Sequence, residues 1–336
     1  MGDQSRPSEF DLIANYFKPL ANNERGAISL TDDAAVLATR EGNRLVVTMD
    51  TLVSGVHFLE FTPPHFIAAK TLRVNLSDLA AMGADPAYYT LSLSLPTFGE
   101  INYDDDWLDR FSQALAVEQA LYGVTLVGGD TVSTPGPLSL TITAFGWVKT
   151  GQEILRSGAS VGDLIYVSGT IGDASLGLAA VQGAFPDLAP SALEVITERH
   201  HRPQPRLDLG RKLFNFASAA IDISDGLIQD LGHICKASNV GATVRGFDVP
   251  LSQPGQMLVD EEPGLIGSIL SGGDDYELLF TIPPEWQTSV APLADELGLP
   301  LTKIGVIEAH DGENAVTVVD KTDTAMKMPA SGFKHF

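Results

Sequence analysis

The sequence has few of the residues on which secreted, nucleic-acid-binding or membrane-associated proteins depend. Its 336 residues include one cysteine, Cys235, which excludes an internal disulfide framework and a zinc site built on several thiolates. Basic residues number 21 against 43 acidic ones, and the net charge is −22. Because phosphate groups are contacted by Lys and Arg, this charge disfavours binding to DNA, RNA or anionic membranes.

The sequence also lacks a long apolar run. The longest uncharged stretch, Thr131–Val148, is rich in Thr, Ser, Pro and Gly and alternates like a strand, so it does not predict a membrane span. The first residues have no apolar run after a basic region and do not predict a secretory signal, and Arg6 breaks the N-myristoylation pattern. Together with the single cysteine, these features predict a soluble cytoplasmic protein.

Predicted strands and helices alternate along the chain, which indicates an α/β or α+β fold in two domains of roughly 100–200 residues each. The polar segment around Gly151 predicts a boundary between residues 1–150 and 151–336. The predicted strands are Leu45–Met49 (ending at Asp50), Tyr89–Leu95, Val124–Val127, Leu138–Val148, Leu164–Ser168, Ala219–Ile223, Ala242–Val249, Tyr276–Ile282, Leu301–Ile307 and Ala315–Val319. The predicted helices are Phe10–Phe17, Pro63–Met82, Trp107–Leu121, a helical run before Phe216, Leu227–Ala237 and Val290–Leu297.

Short stretches that combine Asp with Gly, Ser, Thr or Asn recur at predicted strand ends and on one helix face. Each of them alone fits a turn or a helix N-cap, because Asp and Gly are favoured at both positions. Asp225, before Gly226 and a predicted helix, is an especially good cap candidate. The stretches are Thr31–Asp33, Thr48–Thr51, Asn75–Asp78, Gly128–Thr131, Asp222–Gly226 and Gly272–Glu277.

Taken together, these acids indicate a site for divalent metal ions. Asn75 and Asp78 lie three residues apart on a predicted helix and share one face, which the surrounding apolar residues predict to be partly buried. A buried carboxylate normally binds or pairs with a cation, and the basic residues are too few to pair with every acid. Oxygen ligands suit Mg²⁺ or Ca²⁺ better than zinc or copper. Because the EF-hand spacing is missing, we favour Mg²⁺ shared with substrate phosphates.

The common nucleotide-binding motifs are missing from the sequence. It contains no Walker-type phosphate loop and none of the protein-kinase signatures. Gly128 and Gly129 either bring backbone N–H groups close to a phosphate or simply end a strand. The segment Gly169–Gly172 follows a predicted strand and favours a structural turn over a dinucleotide-binding loop.

The few basic residues and one histidine leave alternatives open. Arg199, Arg202 and Arg206 form a cluster that either contacts phosphate or makes intramolecular ion pairs. The same two interpretations apply to Arg156. His57 is either a ligand contact or a hydrogen-bonded core histidine, and its spacing does not decide between them.

The order of these motifs resembles that of the thiamine-monophosphate kinase family, in the superfamily that includes aminoimidazole ribonucleotide synthetase. The resemblance extends over nearly the whole chain, and it depends on the motifs together, since each is weak by itself. The matching runs are Asp32–Leu37, Asp50–Phe58, Asn75–Ala84, Gly128–Thr131, Leu155–Ala159, Arg202–Pro203, Asp222–Leu227 and Ser271–Leu278.

The resemblance implies ATP-dependent phosphorylation of thiamine monophosphate to thiamine diphosphate, the last step of thiamine diphosphate biosynthesis, with several Mg²⁺ ions. It implies an aminoimidazole ribonucleotide synthetase-like fold. In that fold the N-terminal domain binds ATP and Mg²⁺ and joins its sheet to that of a second copy, forming a barrel in a homodimer. The C-terminal domain is α/β.

The resemblance also assigns roles to residues at the matching positions. The implied metal ligands are Asp33, Thr48, Met49, Asp50, Asp78, Asp130, Asp222 and Asp225. The implied ATP contacts are Tyr122, Gly129, Asp130, Arg156 and Ser224. The implied contacts to the thiamine moiety are His57, Asp274 and Phe333. The implied catalytic residues are Asp50, Asp130 and Arg156.

Three positions depart from the family pattern. Thr31 replaces the usual Gly before the paired aspartates. Met49 stands where Thr is usual among the metal ligands, so it offers only its main-chain carbonyl. Asp274 replaces a commoner Glu and shortens the reach to the substrate by one methylene. These departures concern local geometry rather than the reaction.

Other functions fit the sequence less well. Selenophosphate synthetase and the hydrogenase-maturation relative each use a cysteine that this chain lacks at the matching place, and aminoimidazole ribonucleotide synthetase matches on fold more than on motifs. The alternative from another class is a noncatalytic protein that binds divalent cations.

Overall fold

The computed structural model of this chain describes residues 9–22, 24–310, 315–329 and 332–333. The chain forms two compact units. The first consists of Met1–Leu79 and Asp85–Thr150, and the second consists of Ala80–Ala84 and Gly151–Phe336. Each unit contains one β-sheet. Within the described ranges, no helix is both long enough and apolar enough to cross a lipid bilayer.

The first unit contains a four-stranded mixed sheet. Its strands are β1 (Asn43–Val53), β2 (Asp85–Pro96), β3 (Thr125–Thr134) and β4 (Ser139–Lys149). They lie in the order β1-β4-β2-β3, with β4 antiparallel to both of its neighbours and β2 parallel to β3. Strands β1 and β3 therefore form the two edges.

The helices of this unit begin and end where local chemistry predicts. They are α1 (Glu9–Leu12), which continues as a π-helical turn to Phe17, α2 (Pro64–Ala81) and α3 (Asp105–Tyr122). Helix α3 is capped by the Asp104 side chain, which accepts a hydrogen bond from Trp107 N, and it ends at the left-handed Gly123. Two buried amides attach the helices to the sheet. Asn75 Oδ1 accepts from Asp50 N, and Gln119 Oε1 accepts from the Tyr89 hydroxyl.

The predicted ends of two strands were wrong. Strand β1 continues past Asp50 to Val53, and β3 continues through Gly128 and Gly129 to Thr134. Both are edge strands, and at β1 the edge is covered locally because Asp50 N donates to a side chain of α2. Since β3 does not end at the glycines, the interpretation of Gly128–Gly129 as a strand end was wrong as well.

The two faces of the first sheet differ. In β2 the apolar residues alternate with Thr and Ser and are buried, as the sequence pattern predicted: Tyr89, Leu91, Leu93 and Leu95. The other face, which we call the open face, carries apolar side chains that are 44–64% exposed. They are Leu45, Val47, Met49 and Val132. Strand pairing places them with Thr90 and Thr143 on one side of the sheet.

The second unit contains a six-stranded sheet. Its strands are β5 (Leu164–Ser168), β6 (Ala219–Asp222), β7 (Gly241–Arg245), β8 (Leu278–Ile282), β9 (Leu301–Glu308) and β10 (Val316–Val319). They lie in the order β10-β7-β9-β5-β8-β6, and every neighbouring pair is antiparallel except β10 and β7. The central strands β5 and β8 are buried along their whole length.

Helices cover this sheet, and two of them were missed by the sequence analysis. The helices are α4 (Asp173–Val181), α5 (Pro190–His201), α6 (Leu207–Leu213), α7 (Leu227–Ser238), α8 (Gln253–Glu261), α9 (Leu265–Ser271) and α10 (Gln287–Leu297). The missed ones are α8 and α9, which have Pro and Gly in or beside them. Two predicted strands were too long, because β7 gives way to a 3₁₀ turn at Gly246 and β8 begins only at Leu278.

A buried acid at the start of β8 organises one side of this unit. The Glu277 side chain is fully buried and accepts hydrogen bonds from Arg199 Nη2 at 2.6 Å and from Arg206 Nε at 2.6 Å. It also accepts from the Ser168 hydroxyl at 2.5 Å. Gly169 is required beside it, because a Cβ there would lie 2.3 Å from Glu277 Oε1. The N–H groups of Gly169, Ile171 and Gly172 all donate within the chain, which supports the structural turn favoured above.

We expect Glu277→Gln to lower the free energy of unfolding by about 3 kcal/mol or more, because it leaves two largely buried guanidinium groups without their carboxylate. Urea unfolding followed by circular dichroism measures the change. The matched control is Glu198→Gln, which removes a partly exposed pair with Arg202 at 3.1 Å and is expected to cost less than about 1 kcal/mol. Equal losses in the two variants would contradict this account of Glu277.

Candidate active site

The first group of predicted site residues lies where β1 meets α2. The Thr48 hydroxyl donates a hydrogen bond to Asp78 Oδ2 at 2.5 Å, and Asp50 N donates to Asn75 Oδ1 at 3.0 Å. Asn75 is fully buried and Asp78 is half-buried, in agreement with the helix face predicted from their spacing. The structure thus brings a hydroxyl and two acidic residues to one edge of the sheet.

The second group lines a cleft of about 530 Å³ in the same unit. Asp33, Gly129 and Asp130 lie along its wall, together with Thr31 and the apolar side of the first helical segment. Gly129 is required there, because a Cβ at this position would lie 2.0 Å from the carbonyl oxygen of Leu91 on the neighbouring strand. The predicted ATP contacts Gly129 and Asp130 therefore share a cleft with a predicted metal ligand.

These two groups lie at opposite edges of the sheet. Asp50 pairs with Ile142, Ile142 pairs with Leu91, and Leu91 pairs with Gly129. Neighbouring strands are about 4.8 Å apart, so three spacings separate Asp50 from Gly129 by roughly 14 Å. Within one chain, therefore, Asp50 and Asp130 are too far apart to bind the same metal ion.

Three further predicted residues of the first unit have defined surroundings. Tyr122 ends α3, and the Arg73 guanidinium lies 5.5 Å from the centre of its ring. The His57 Nδ1 atom accepts a hydrogen bond from Val53 N at 3.0 Å, which fixes the ring in the turn after β1 and places its proton on Nε2 when it is neutral. Met49 lies on the open face with its side chain 64% exposed.

The third group lies in the second unit around the loop that precedes α7. Asp274 N donates to Ser224 O at 2.8 Å, and Phe333 N donates to Asp225 O at 2.9 Å. The Gln229 amide donates both to Asp225 Oδ2 and to Phe333 O. The structure thus brings together residues predicted for three ligands. They are Ser224 for ATP, Asp225 for metal, and Asp274 and Phe333 for the thiamine moiety.

The remaining predicted residues of this unit are Asp222 and Arg156, and the exposure of Phe333 is also defined. Asp222 is the last residue of β6 and is buried, and Arg156 lies in an exposed loop. Phe333 is 47% exposed, and the rest of its motif, residues 334–336, lies outside the described residues. The arginine cluster makes the intramolecular ion pairs that were one of its two interpretations. Arg199 and Arg206 bind Glu277, and Arg202 binds Glu198.

The sequence analysis missed Asp230, which holds the loop before α7. One oxygen of its buried carboxylate accepts hydrogen bonds from Ser224 N, Asp225 N and Gly226 N at 3.0–3.1 Å. Burial raises the pKa of Asp230 to about 7, and the charge of Asp225 acts in the same direction, while the three amide donors oppose the shift. The expected N-cap role of Asp225 was wrong, because the N-cap position of α7 is Gly226 and no side chain caps the helix there.

The oxygen donors are distributed in small groups. In the described part of the chain, no three His, Cys, Asp or Glu side chains converge as a ready-made metal site. Mg²⁺ is commonly held by one or two carboxylates, with water and substrate phosphates completing its coordination. The pairing of Thr48 with Asp78, next to Asp50, fits that requirement. A thiolate- or imidazole-rich metal does not fit it.

Comparison with known proteins identifies the family. The models for the N-terminal and C-terminal domains of AIR synthase related protein match residues 31–148 and 160–318. The thiamine-monophosphate kinase of Salmonella typhimurium is 42% identical over 98% of both chains. The chain belongs to the thiamine-monophosphate kinase family.

Two solved structures support this family assignment. The thiamine-monophosphate kinase from Stenotrophomonas maltophilia K279a is 43% identical, with a TM-score of 0.81 over 93% of this chain and 96% of that one. The structure of AaThiL complexed with AMPPCP and TMP is 29% identical, with a TM-score of 0.76 over 98% and 97% of the two chains. The two-domain aminoimidazole ribonucleotide synthetase-like fold is confirmed.

The structure defines the surroundings of two positions that were expected to depart from the family pattern, Thr31 and Asp274. Thr31 follows three residues with left-handed backbone, Ile28–Leu30, and its hydroxyl donates to Ile28 O. Asp274 has a left-handed backbone with a φ of 71°. Its carboxylate lies 3.3 Å from the Tyr276 hydroxyl and 3.9 Å from His200 Nδ1.

The next residue of this kinase-family loop, Asp275, is buried and titrates far from its ordinary value. Its two oxygens accept hydrogen bonds from Gly172 N and Ala174 N at the start of α4. Burial raises the pKa of Asp275 to about 8 from 3.8, and the nearby Asp173 adds to the shift, whereas the amides and Arg199 oppose it. Between those two pH values the folded chain holds a proton that the unfolded chain has released.

We therefore expect stability to fall as pH rises from 5 to 8, and to fall less steeply in Asp275→Asn, which lacks this proton. The slopes should differ by up to about 1.4 kcal/mol per pH unit, the value for one proton. Urea unfolding at a series of pH values measures both slopes. Parallel curves for the two proteins would contradict the buried, protonated Asp275.

Proposed function

We propose that this chain transfers the γ-phosphoryl group of ATP to thiamine monophosphate and produces thiamine diphosphate. The observation that carries this proposal is the 42% identity to a thiamine-monophosphate kinase over 98% of both chains. The complex of AaThiL with AMPPCP, an ATP analogue, and TMP supports ATP as the co-substrate. Aminoimidazole ribonucleotide synthetase remains the alternative on fold alone.

We propose Mg²⁺ as the metal, in more than one ion. Thr48, Asp50 and Asp78 offer hydroxyl and carboxylate oxygens at one edge of the first sheet, and Asp33 and Asp130 offer carboxylates in the cleft at the other edge. The remaining proposed ligands are the Met49 carbonyl, Asp222 and Asp225. When bound, Mg²⁺ neutralises charge between two anionic phosphate groups, which bare carboxylates would repel.

The proposed reaction is direct, in-line phosphoryl transfer without a phosphoenzyme. A phosphate monoester has a second pKa near 6, so the acceptor oxygen of thiamine monophosphate is already deprotonated at neutral pH. The chain then needs no general base, and its task is to position the two reactants and neutralise their charge. Arg156, in an exposed loop, is proposed to bind phosphate oxygens.

The proposed contacts to nucleotide and thiamine use the groups described above. Gly129 and Asp130 line the cleft, and Ser224 lies on the loop before α7. Tyr122 completes the proposed ATP contacts. Asp274 and Phe333 are hydrogen-bonded through their backbones to that loop and are proposed to bind the thiamine moiety, with His57.

A homodimer would complete the site. In one chain the groups around Asp50 and Asp130 lie at opposite edges of the sheet, and a second copy is the simplest source of the missing half. The open face supports this proposal, because its four exposed apolar residues would be removed from water by a second sheet. Cys235 is a buried free thiol, which suits a reducing compartment such as the cytoplasm.

We expect the purified protein to form thiamine diphosphate from Mg-ATP and thiamine monophosphate, and Asp50→Asn to lower kcat by about 100-fold or more, because a misplaced phosphate loses positioning and charge stabilisation. Chromatographic product analysis measures both. The matched control is Asp106→Asn, which alters an exposed carboxylate on α3 and should leave kcat unchanged.

Two results would contradict the proposed function. Turnover of the purine precursor in place of thiamine monophosphate would indicate the synthetase reaction. Tight Mg²⁺ binding in calorimetry, with no ATP turnover on any acceptor, would indicate the noncatalytic cation-binding protein. A labelled phosphoenzyme after acid quench would refute only the direct route.

We expect Val47→Asp to convert the dimer to a monomer, because it places a carboxylate on the open face that the second copy is proposed to cover. Light scattering after size-exclusion chromatography measures the mass. The matched control, Val161→Asp, changes an exposed valine of the second unit and should leave the dimer intact. A monomeric wild-type protein would overturn the homodimer proposal.

A further inference from the structure

The N–H groups and the carbonyl groups of the loop before α7 have different partners. Its three consecutive N–H groups, from Ser224 to Gly226, all point to one oxygen of Asp230. Its carbonyl groups serve other segments, since Ser224 O accepts from Asp274 N and Asp225 O accepts from Phe333 N. One carboxylate therefore fixes the loop through its N–H groups, and the loop fixes two other segments through its carbonyl groups.

The side chains of this loop remain available for ligands. Ser224 and Asp225 are half-buried, whereas Asp230 is 2% exposed. The Gln229 amide orients Asp225 by donating to its Oδ2 atom at 2.9 Å, and the same nitrogen donates to Phe333 O at 3.0 Å. Thus the proposed nucleotide, metal and thiamine contacts that adjoin this loop, which are Ser224, Asp225, Asp274 and Phe333, depend on one backbone conformation.

The acceptor that holds this conformation is a buried acid. Hydrogen bonds from backbone N–H to a carboxylate are roughly twice as strong as those between neutral groups. Burying a carboxylate is costly unless it is hydrogen-bonded, and these three amides are the donors that the structure gives to its Oδ2 atom. Gly226 allows the turn, because its φ is 126° and a Cβ there would lie 2.8 Å from Ser271 O.

We propose that Asp230 is a positioning residue that sets the nucleotide-binding and thiamine-binding residues of the second unit in one geometry. Asp230 acts through the backbone of Ser224 and Asp225, and it does not touch the substrates. This inference rests on the proposed function for the identity of the ligands. The convergence of three amides on Asp230 does not depend on it.

The experiment compares Asp230→Ala and Asp230→Asn with a matched control. Asp163→Asn is that control, because Asp163 is also a buried acid of the second unit and accepts from Ser160 N and the Ser218 hydroxyl, away from the loop. Two measurements are made on full-length protein. Hydrogen–deuterium exchange reports the amides of residues 224–226, and calorimetry reports the affinity for Mg-AMPPCP.

We expect faster exchange at residues 224–226 and an affinity for Mg-AMPPCP lowered by about 10- to 100-fold in Asp230→Ala, the range found when a residue supporting a metal ligand is removed. The KM for thiamine monophosphate should rise as well. Asp230→Asn keeps one carbonyl oxygen and should lie between the wild type and Asp230→Ala. Asp163→Asn should lower the melting temperature without either effect.

Unchanged exchange at residues 224–226 in Asp230→Ala would overturn the inference. Equal losses of affinity in Asp230→Asn and Asp163→Asn would overturn it too, because they would mean a general loss of stability. If Asp230→Ala does not fold, Asp230→Asn decides by the same criteria. A wild-type protein that makes no thiamine diphosphate refutes the proposed function instead, while the exchange measurement still decides the role of Asp230.

Discussion

The structure depends on fixing carboxylates in place in a chain whose net charge is −22. Two of the candidate metal ligands are approached by neutral donors, Asp78 by the Thr48 hydroxyl and Asp225 by the Gln229 amide. Two arginines of the second unit are instead committed to the buried Glu277. Neutral donors fix a carboxylate in place without cancelling its charge, so these oxygens keep their attraction for a divalent cation. Arg199 and Arg206 thus stabilise the fold rather than the candidate metal ligands.

In the first unit, the sheet determines where the candidate metal ligands lie. The candidate metal ligands Asp50 and Asp130 lie in the middle of the two edge strands, β1 and β3. Side chains held by strands and buried helices are positioned more precisely than those on loops. The same placement separates Asp50 from Asp130 by three strand spacings. A site that needs both is therefore incomplete in one chain, which links the proposed chemistry to the proposed homodimer.

Much of the fold, but less of the site, follows from the sequence. The proline pair that opens α2 and the alternation of β2 are local signals, and both predictions are confirmed. The spacing of Asn75 and Asp78 likewise sufficed to place them on one buried helix face. By contrast, β3 continues through two glycines that pair with β2, and at Gly129 the neighbouring strand comes too close for a side chain. The role of Asp230 depends on where a loop folds in space, and Glu277 meets Arg206 from 71 residues away, so no local pattern predicts either.

The segment from Asp274 to Glu277 shows why such long-range contacts matter for the site. Asp274 and Tyr276 both have left-handed backbone, which costs roughly 1–2 kcal/mol per residue outside glycine. Such strain persists only where the surroundings over-determine the conformation. Here Asp275 accepts hydrogen bonds from the first amides of α4, and Glu277 accepts them from two arginines. These contacts fix Tyr276, which lies between the two acids, and Asp274, which precedes them. The Asp274 side chain is thereby presented by a backbone that local preferences alone would not adopt.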